Sequence, residues 1–190
     1  MFEIELKAHV RDKTRTVELV NSFAEFKGTT VKNDDYFNNS KITCRIRSEI
    51  KTLPDKTQIK ENLFTYKSKE LRMDKNGSSY EVNEENETTI SNPEALEKLL
   101  LDSAYTKVYS KHKDVIEWIT DTPFGQAHIE LCNVPPLGDF LEIEIVTENC
   151  NNDKEINAEL KLLIQKAGID LNDIEKKYYS ELLREAGVIH

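Results

Sequence analysis

Glu3-Ile4-Glu5-Leu6-Lys7, near the start of the chain, is the stretch that decides the fold. Side chains of a β-strand point alternately to opposite faces, so Ile4 and Leu6 share an apolar face. Glu3, Glu5 and Lys7 share the other face. Two neighbouring carboxylates repel each other, and they lie more easily beside Mg²⁺ or Mn²⁺, which prefer oxygen ligands. The pattern therefore predicts a strand with a buried apolar face and a metal site that begins at residue 3.

The size and charge of the chain exclude several classes of protein. With 190 residues it is long enough for one domain with its own core, and we expect a single domain over residues 1–190. A net charge of -9 argues against broad electrostatic binding to nucleic acid. No apolar run approaches the length that spans a bilayer, so no membrane association is expected. Without a secretory signal pattern at the N-terminus, the cytoplasm is the expected location.

The three cysteines of the chain, Cys44, Cys132 and Cys150, have no C-x-x-C spacing. An odd number without that spacing argues against a disulfide framework and against a structural zinc site. We therefore expect reduced thiols.

Hydrophobic periodicity and turn residues predict the order of the elements. Four helices are predicted. The first covers 14–26 with Gly28 as a stop, the second begins at Asn92 and Pro93, the third ends at Gly168, and the fourth covers 174–186. Strands are predicted near 29–39, 43–49, 63–71, 79–90, 105–120, 125–134 and 139–148, with a loop over 50–62 and a hairpin turn at 122–125. This order indicates an α+β protein, and many antiparallel strands in one domain favour a barrel or a strongly curved sheet.

Five predicted strands carry a pair of like charges on one face. The pairs are Glu3 and Glu5, Arg45 and Arg47, Lys67 and Lys69, Lys111 and Lys113, and Glu142 and Glu144. A solvated face usually mixes the two signs, because opposite charges stabilise each other across strands. Segregated cations suit a polyanion such as a phosphate chain, and segregated carboxylates suit a metal ion. The pattern alone leaves open the alternative that these strands turn their charges outward to solvent.

Short motifs follow the first strand along nearly the whole chain. They are Asp35-Tyr36-Phe37, Arg45-Ile46-Arg47, Thr65-Tyr66-Lys67, Tyr80-Glu81, Lys111-His112-Lys113, Leu137-Gly138-Asp139-Phe140-Leu141-Glu142-Ile143-Glu144 and Tyr179-Ser180-Glu181-Leu182-Leu183. Together with E-x-E-x-K, they resemble the CYTH superfamily of triphosphate tunnel metalloenzymes, which includes class IV adenylyl cyclases and thiamine triphosphatases. The length and the Leu-Gly-Asp-Phe-x-Glu-Ile-Glu segment are more similar to the cyclases.

The resemblance implies an eight-stranded antiparallel β-barrel that forms a tunnel and is flanked by helices. It implies that Mg²⁺ or Mn²⁺ is bound by Glu3, Glu5, Glu142 and Glu144. The triphosphate would be held by Lys7, Arg45, Arg47, Lys67, Lys111 and Lys113, with Tyr36 as the aromatic residue of the site. Catalysis is assigned to Glu5, Lys7 and Glu142, and Glu81 is expected on the acidic side.

Three departures from the family pattern bear on the site, one of them being Ser78 and Ser79, which precede Glu81 where related sequences often carry charge. Cys132 stands where the family usually has an Asp, and a thiol is a poor ligand for hard cations. Lys113 replaces an Arg, which keeps the charge and loses the bidentate fork. The resemblance therefore does not decide which contacts these positions make in this chain.

The resemblance implies an enzyme that breaks a phosphoanhydride bond of a nucleoside triphosphate or another triphosphate. Attack by the ribose 3′-hydroxyl on ATP gives cyclic AMP and pyrophosphate, whereas attack by water makes the enzyme a triphosphatase. A non-catalytic module that binds nucleotide or phosphate is the alternative of another class, and a lipocalin-like barrel for apolar ligands fits the charged faces less well. Related cyclases suggest a homodimer. Tyr178 and Tyr179 are expected to be packing residues.

Overall fold

A computed structural model gives the structure of residues 2–39, 42–73, 79–148 and 151–189, with side chains described for all of these except 67–73 and 79–85. The strands are β1 (Phe2–His9), β2 (Glu25–Asn38), β3 (Thr43–Thr52), β4 (Gln58–Met73), β5 (Ser79–Thr89), β6 (Thr106–Thr122), β7 (Gly125–Val134), β8 (Gly138–Thr147) and β9 (Ile174–Glu175). The helices are α1 (Lys13–Asn21), α2 (Pro93–Asp102), α3 (Asp153–Lys166) and α4 (Tyr179–Glu185).

All neighbouring strands of the sheet are antiparallel. The strand order is β5-β4-β3-β2-β6-β7-β8-β1-β9, and β1 also pairs with β5 from Phe2 opposite Glu84 to Glu5 opposite Glu81. This second pairing joins β5 at one end of the strand order to β1, the last long strand at the other end, so the sheet is barrel-like. The predicted α+β fold, an antiparallel barrel of eight long strands with flanking helices, is confirmed.

The main hydrophobic core lies on the outer side of the sheet, beneath α1 and α3. Ile4, Ile129 and Ile143 are fully buried there, and Leu160 and Ile164 of α3 pack against them. Burial of each of these side chains contributes about 1.5–3 kcal/mol to the stability of the fold. Because neighbours along a strand point to opposite faces, burial of the apolar residues under the helices turns the charged residues of β1, β7 and β8 toward the centre of the barrel.

Helix α1 is shorter than predicted, and the glycine expected to stop it has another role. The side chain of Asp12 caps the helix at the backbone N–H of Arg15, 3.0 Å away, and the helix ends at Asn21. Gly28 lies inside β2, at a bulge in the pairing with β6, with φ +127°. A Cβ at this position would collide with the carbonyl oxygen of Thr52. The predicted helix over 14–26 is therefore wrong beyond residue 21, because β2 already begins at residue 25.

Two further boundaries differ from the predictions. The loop predicted over 50–62 is only a tight turn, because Thr52 pairs with Gln58 and Leu53 donates a hydrogen bond to the carbonyl of Thr57 at 2.9 Å. The helix predicted over 174–186 begins only at residue 179. Before it, β9 pairs with β1, where the strand has passed the end of β5 and needs another partner for its backbone.

Other predicted signals hold. Asn92 caps α2 by accepting a hydrogen bond from the N–H of Ala95 at 2.9 Å, and Pro93 is the first residue of the helix. The hairpin turn at 122–125 is present, and Gly168 follows α3 with φ +79°. In the described part of the chain, no helix combines the length and the hydrophobicity needed to cross a membrane.

Candidate active site

The barrel encloses a cavity of about 910 Å³ with charged walls. The cavity is lined by every predicted site residue whose side chain is described, namely Glu3, Glu5, Lys7, Tyr36, Arg45, Arg47, Lys111, Lys113, Glu142 and Glu144. The alternative in which these side chains face bulk solvent is therefore wrong. The side chains of Lys67 and Glu81 lie outside the described residues.

Three carboxylates meet on the acidic wall. Glu3, Glu5 and Glu144 each place one carboxylate oxygen within 4.8 Å of the others. The strand register explains the meeting, because Glu5 of β1 lies directly opposite Glu144 of β8. Burial, followed by the charges of Glu3 and of other carboxylates, raises the pKa of Glu144 well above its usual range. An all-oxygen donor set that repels itself fits a hard divalent cation.

Glu142 lies in a second acidic group, with Glu130 and Cys132. Its two carboxylate oxygens accept hydrogen bonds from Lys113 Nζ at 2.8 and 2.6 Å. Burial opposes ionisation of Glu142, but the charges of Lys113 and Lys111 outweigh it and lower its pKa. Burial raises the pKa of the Cys132 thiol well above its usual range. A protonated thiol is a weak ligand, so Cys132 adds little to a site for a hard cation.

Lys32 and Glu130 are site residues that sequence reasoning missed. Lys32 Nζ donates a hydrogen bond to Glu130 at 2.5 Å, and both side chains line the cavity. Burial opposes the charge of Lys32, but Glu130 more than compensates, and the pKa of Lys32 is raised. The signal was the alternation Lys32-x-Asp34-x-Tyr36 on β2, whose polar residues differ in sign and so do not form a like-charged pair.

Asp34 was also missed. It organises the basic wall of the cavity, which Arg45, Arg47 and Lys111 form. Its side chain has no solvent exposure, and it accepts hydrogen bonds from Arg47 at 2.6 and 3.1 Å. The ammonium of Lys111 lies 3.3 Å away and the guanidinium of Arg45 lies 4.0 Å away. Burial would raise the pKa of Asp34, but the three cations hold it well below its usual range. One buried carboxylate thus holds three cations at the cavity wall.

Tyr36 lies beside these cations. Its hydroxyl is 3.1 Å from Lys111 Nζ and 3.4 Å from a carboxylate oxygen of Asp34. The ring stacks on that of Tyr109, with the centroids 4.4 Å apart. Burial opposes ionisation of Tyr36, but Lys111 and then the arginines outweigh it and lower its pKa to about 8. Burial and the neighbouring Tyr36 raise the pKa of Tyr109 instead.

The C-terminal segment completes the wall of the cavity. The ring centroid of Tyr179 lies 4.1 Å from Lys7 Nζ and 4.8 Å from the ammonium groups of both Lys111 and Lys113. The same ring packs edge-on against Phe140. The expectation that Tyr179 is a packing residue is therefore incomplete, because its ring also contacts the lysines of the cavity.

The chain belongs to the CYTH domain family, whose model matches residues 1–179. Members of this family process triphosphates. No curated protein matched the sequence.

Solved structures share the fold. The PH1012 protein from Pyrococcus horikoshii is 26% identical over 95% of this chain and 98% of its own, with a TM-score of 0.68. The PH1819 protein from the same organism is 22% identical over 97% and 99%, with a TM-score of 0.76. A protein from Vibrio parahaemolyticus described as a "putative adenylate cyclase" is 18% identical over 97% and 98%, with a TM-score of 0.71.

Proposed function

We propose that the protein is a metal-dependent enzyme of the class IV adenylyl cyclase type, which converts ATP to cyclic AMP and pyrophosphate. One observation carries the proposal: a cluster of three carboxylates and a cluster of arginines and lysines line the same cavity. A triphosphate with a divalent cation is complementary to both walls, since the cation meets the carboxylates and the phosphate oxygens meet the basic groups.

Glu3, Glu5 and Glu144 would hold Mg²⁺ or Mn²⁺. The bound ion would neutralise phosphate charge and act as a Lewis acid toward the phosphate oxygens. Glu142 is engaged by Lys113, and we propose that it joins the metal ligands when the phosphates attract that lysine. This role accounts for the assignment of Glu142 both to the metal site and to catalysis.

The basic residues would bind and align the phosphate chain. Arg45 and Arg47 present planar guanidinium groups that can contact two phosphate oxygens at once. Lys7, Lys111 and Lys113 supply compact charges to the same cavity. Lys67 keeps its assignment to the triphosphate on the family motif. Because Asp34 already holds the arginines in place, little reorganisation is needed when charge develops at phosphorus.

In the proposed reaction the ribose 3′-oxygen attacks the α-phosphorus. The new O3′–Pα bond forms as the bond from Pα to the bridging oxygen breaks, and pyrophosphate leaves with that electron pair. The proton of the 3′-hydroxyl needs an acceptor in the wall. Tyr36 is suited to this role, because its pKa of about 8 leaves a useful fraction of phenolate near neutral pH.

A non-catalytic nucleotide-binding module is the second candidate. Cys132 in place of a carboxylate, and the engagement of Glu142 by Lys113, favour it. Hydrolysis of ATP, inorganic triphosphate or thiamine triphosphate is the third outcome, because the same walls suit attack by water.

Product analysis separates these functions. Purified protein is incubated with ATP, inorganic triphosphate or thiamine triphosphate and with Mg²⁺ or Mn²⁺, and the products are resolved by chromatography. Equal amounts of cyclic AMP and pyrophosphate support the proposal. Release of inorganic phosphate from any of the three supports a triphosphatase, and binding without turnover supports the module. Arg47→Gln is the inactive comparison, because it removes a basic group from the wall.

The remaining expectations belong to the same proposal. Both described cysteines, Cys44 and Cys132, are free thiols, in keeping with the cytoplasm as the proposed location. The homodimer suggested by related cyclases is a proposal that light scattering of the purified protein tests.

A further inference from the structure

The chain returns to the signature strand after α3. Strand β9 pairs with β1 so that Glu175 lies opposite Lys7 and Ile174 lies opposite Ala8. Two residues further on, the backbone carbonyl of Lys177 accepts a hydrogen bond of 2.7 Å from Lys7 Nζ. A backbone group from the C-terminal segment therefore contacts the lysine of the E-x-E-x-K motif directly.

The side chain of Glu175 holds the start of the turn that carries this carbonyl, while Glu181 accepts a hydrogen bond of 2.7 Å from the N–H of Tyr178 in the carbonyl's own peptide unit. One oxygen of Glu175 accepts a hydrogen bond of 2.8 Å from the backbone N–H of Lys177, and the other lies 2.9 Å from His9 Nε2. Burial opposes ionisation of Glu175, but the N–H of Lys177 and then His9 lower its pKa. An ionised Glu175 thus bridges β1 and the turn that carries the Lys177 carbonyl.

Carboxylates that line the same cavity are alternative partners for the Lys7 ammonium. Lys7 lies opposite Glu142 across the β1–β8 pair and shares its strand face with Glu5. An ammonium on a flexible side chain readily pairs with either carboxylate. The Lys177 carbonyl and the ring of Tyr179, 4.1 Å away, instead hold the Lys7 ammonium against the C-terminal segment.

We infer that Glu175 is a positioning residue, which, by fixing the Lys177 carbonyl, holds the Lys7 ammonium toward the substrate and away from the carboxylates that bind metal. This inference rests on the proposed function, in which Lys7 contacts the phosphates. It assigns a task to the short β9 segment, which contributes no charged side chain to the cavity.

Two substitutions of Glu175 separate positioning from mere stability. Glu175→Gln keeps an oxygen that can accept the bond from Lys177, whereas Glu175→Ala does not. We expect Glu175→Ala to lower kcat for ATP about tenfold and to leave KM within about twofold, because a small displacement of a catalytic group costs turnover more than binding. Glu175→Gln restores most of the kcat. The matched control is Glu185→Ala, which removes an exposed partner of the Lys177 ammonium and leaves the turn intact.

A second measurement reads Lys7 without any turnover. The rate at which an amine-reactive reagent labels Lys7, measured by peptide mass spectrometry in the absence of substrate, rises in Glu175→Ala and stays at the parent value in Glu185→Ala. Unchanged labelling of Lys7 in Glu175→Ala overturns the inference, as does a kcat equal to that of the parent. If Glu175→Ala does not fold, His9→Ala removes the other partner of Glu175, and a rise in Lys7 labelling is again required. Should the parent turn over no triphosphate, the proposed function fails while the labelling result still decides the inference.

Discussion

Asp34 and Arg47 form a two-point ion pair in the wall of the cavity, with nitrogen to oxygen distances of 2.6 and 3.1 Å. The same carboxylate lies close to Arg45 and Lys111, so it is the counterion of three groups assigned to the triphosphate. Without ligand, this carboxylate offsets the repulsion among the cations. The basic wall is therefore preorganised by a residue that belongs to none of the like-charged pairs in the sequence.

Replacement of Asp34 by Asn leaves these cations without their buried partner. We expect the free energy of unfolding to fall by about 3–5 kcal/mol, the usual cost of removing one member of a buried ion pair. Urea unfolding measures the change. Asp35→Asn is the matched control, because Asp35 makes a half-exposed pair with Lys107 on the other face of the same strand and should lose less than about 1 kcal/mol.

The effect of Asp34 also depends on pH. The folded protein depresses the pKa of Asp34, so its contribution is fully present above the unfolded value of about 3.9 and is lost as the pH falls through the lower folded value. The stability difference between the parent and Asp34→Asn should accordingly shrink below about pH 3.9. A difference that stays constant down to strongly acidic pH would contradict this account of Asp34.

Tyr36→Phe tests the proposed proton acceptor. In the parent, kcat should rise as the pH passes the Tyr36 pKa of about 8, because the phenolate accepts the proton. The variant should lose this rise and about 10²-fold or more of kcat, the usual contribution of general base catalysis. Tyr109→Phe is the control, since burial keeps the neighbouring phenol protonated and the rise near pH 8 should survive. An unaltered profile in Tyr36→Phe would assign the proton to another group.

Glu144→Gln tests the metal site. Without metal, the substitution removes one of three mutually repelling carboxylates, so the melting temperature should equal or exceed that of the parent. Mn²⁺ should raise the melting temperature of the parent and not that of the variant, because binding to the native state stabilises it. Glu142→Gln should keep most of the rise, since Glu142 is paired with Lys113 when no substrate is present. Equal stabilisation of Glu144→Gln and the parent by Mn²⁺ would place the ion elsewhere.

Gly28→Ala tests the bulge in β2. The new Cβ would meet the carbonyl oxygen of Thr52, and φ of +127° strains any side chain, so we expect a loss of about 2–3 kcal/mol or more. Gly125→Ala has a comparable φ of +116° with open space around the Cβ, and it should cost less. Thermal unfolding of both variants compares the cost of a positive φ alone with the cost of a positive φ together with the Cβ contact. Equal losses would show that the contact with Thr52 is unimportant.

The sequence predicted the strand faces well because alternation is a local property. Ile4 and Glu5 occupy opposite faces in any strand, and the like-charged pairs whose side chains are described line the cavity. Alternation alone could not decide which face is inside, because that depends on α1 and α3 covering the apolar side.

The residues that were missed depend on contacts with other strands. Lys32 of β2 meets Glu130 of β7 past the intervening strand β6, and Asp34 lies directly opposite Arg47 in the β2–β3 pair. Each is a single charge of one sign beside a partner of the other sign, so neither forms the like-charged pairs that identified the rest of the site. Strand β9 was missed because its two residues form a strand only beside β1.

The central claim is that the cavity binds a triphosphate together with a divalent cation. The most direct measurement is calorimetric titration of a non-hydrolysable ATP analogue into the protein with and without Mn²⁺, repeated on Arg47→Gln and on Glu144→Gln. The account predicts binding that Mn²⁺ strengthens in the parent, that Arg47→Gln weakens, and that no longer depends on Mn²⁺ in Glu144→Gln. Absence of binding in the parent, or binding of equal strength in all three proteins with and without the ion, would contradict it.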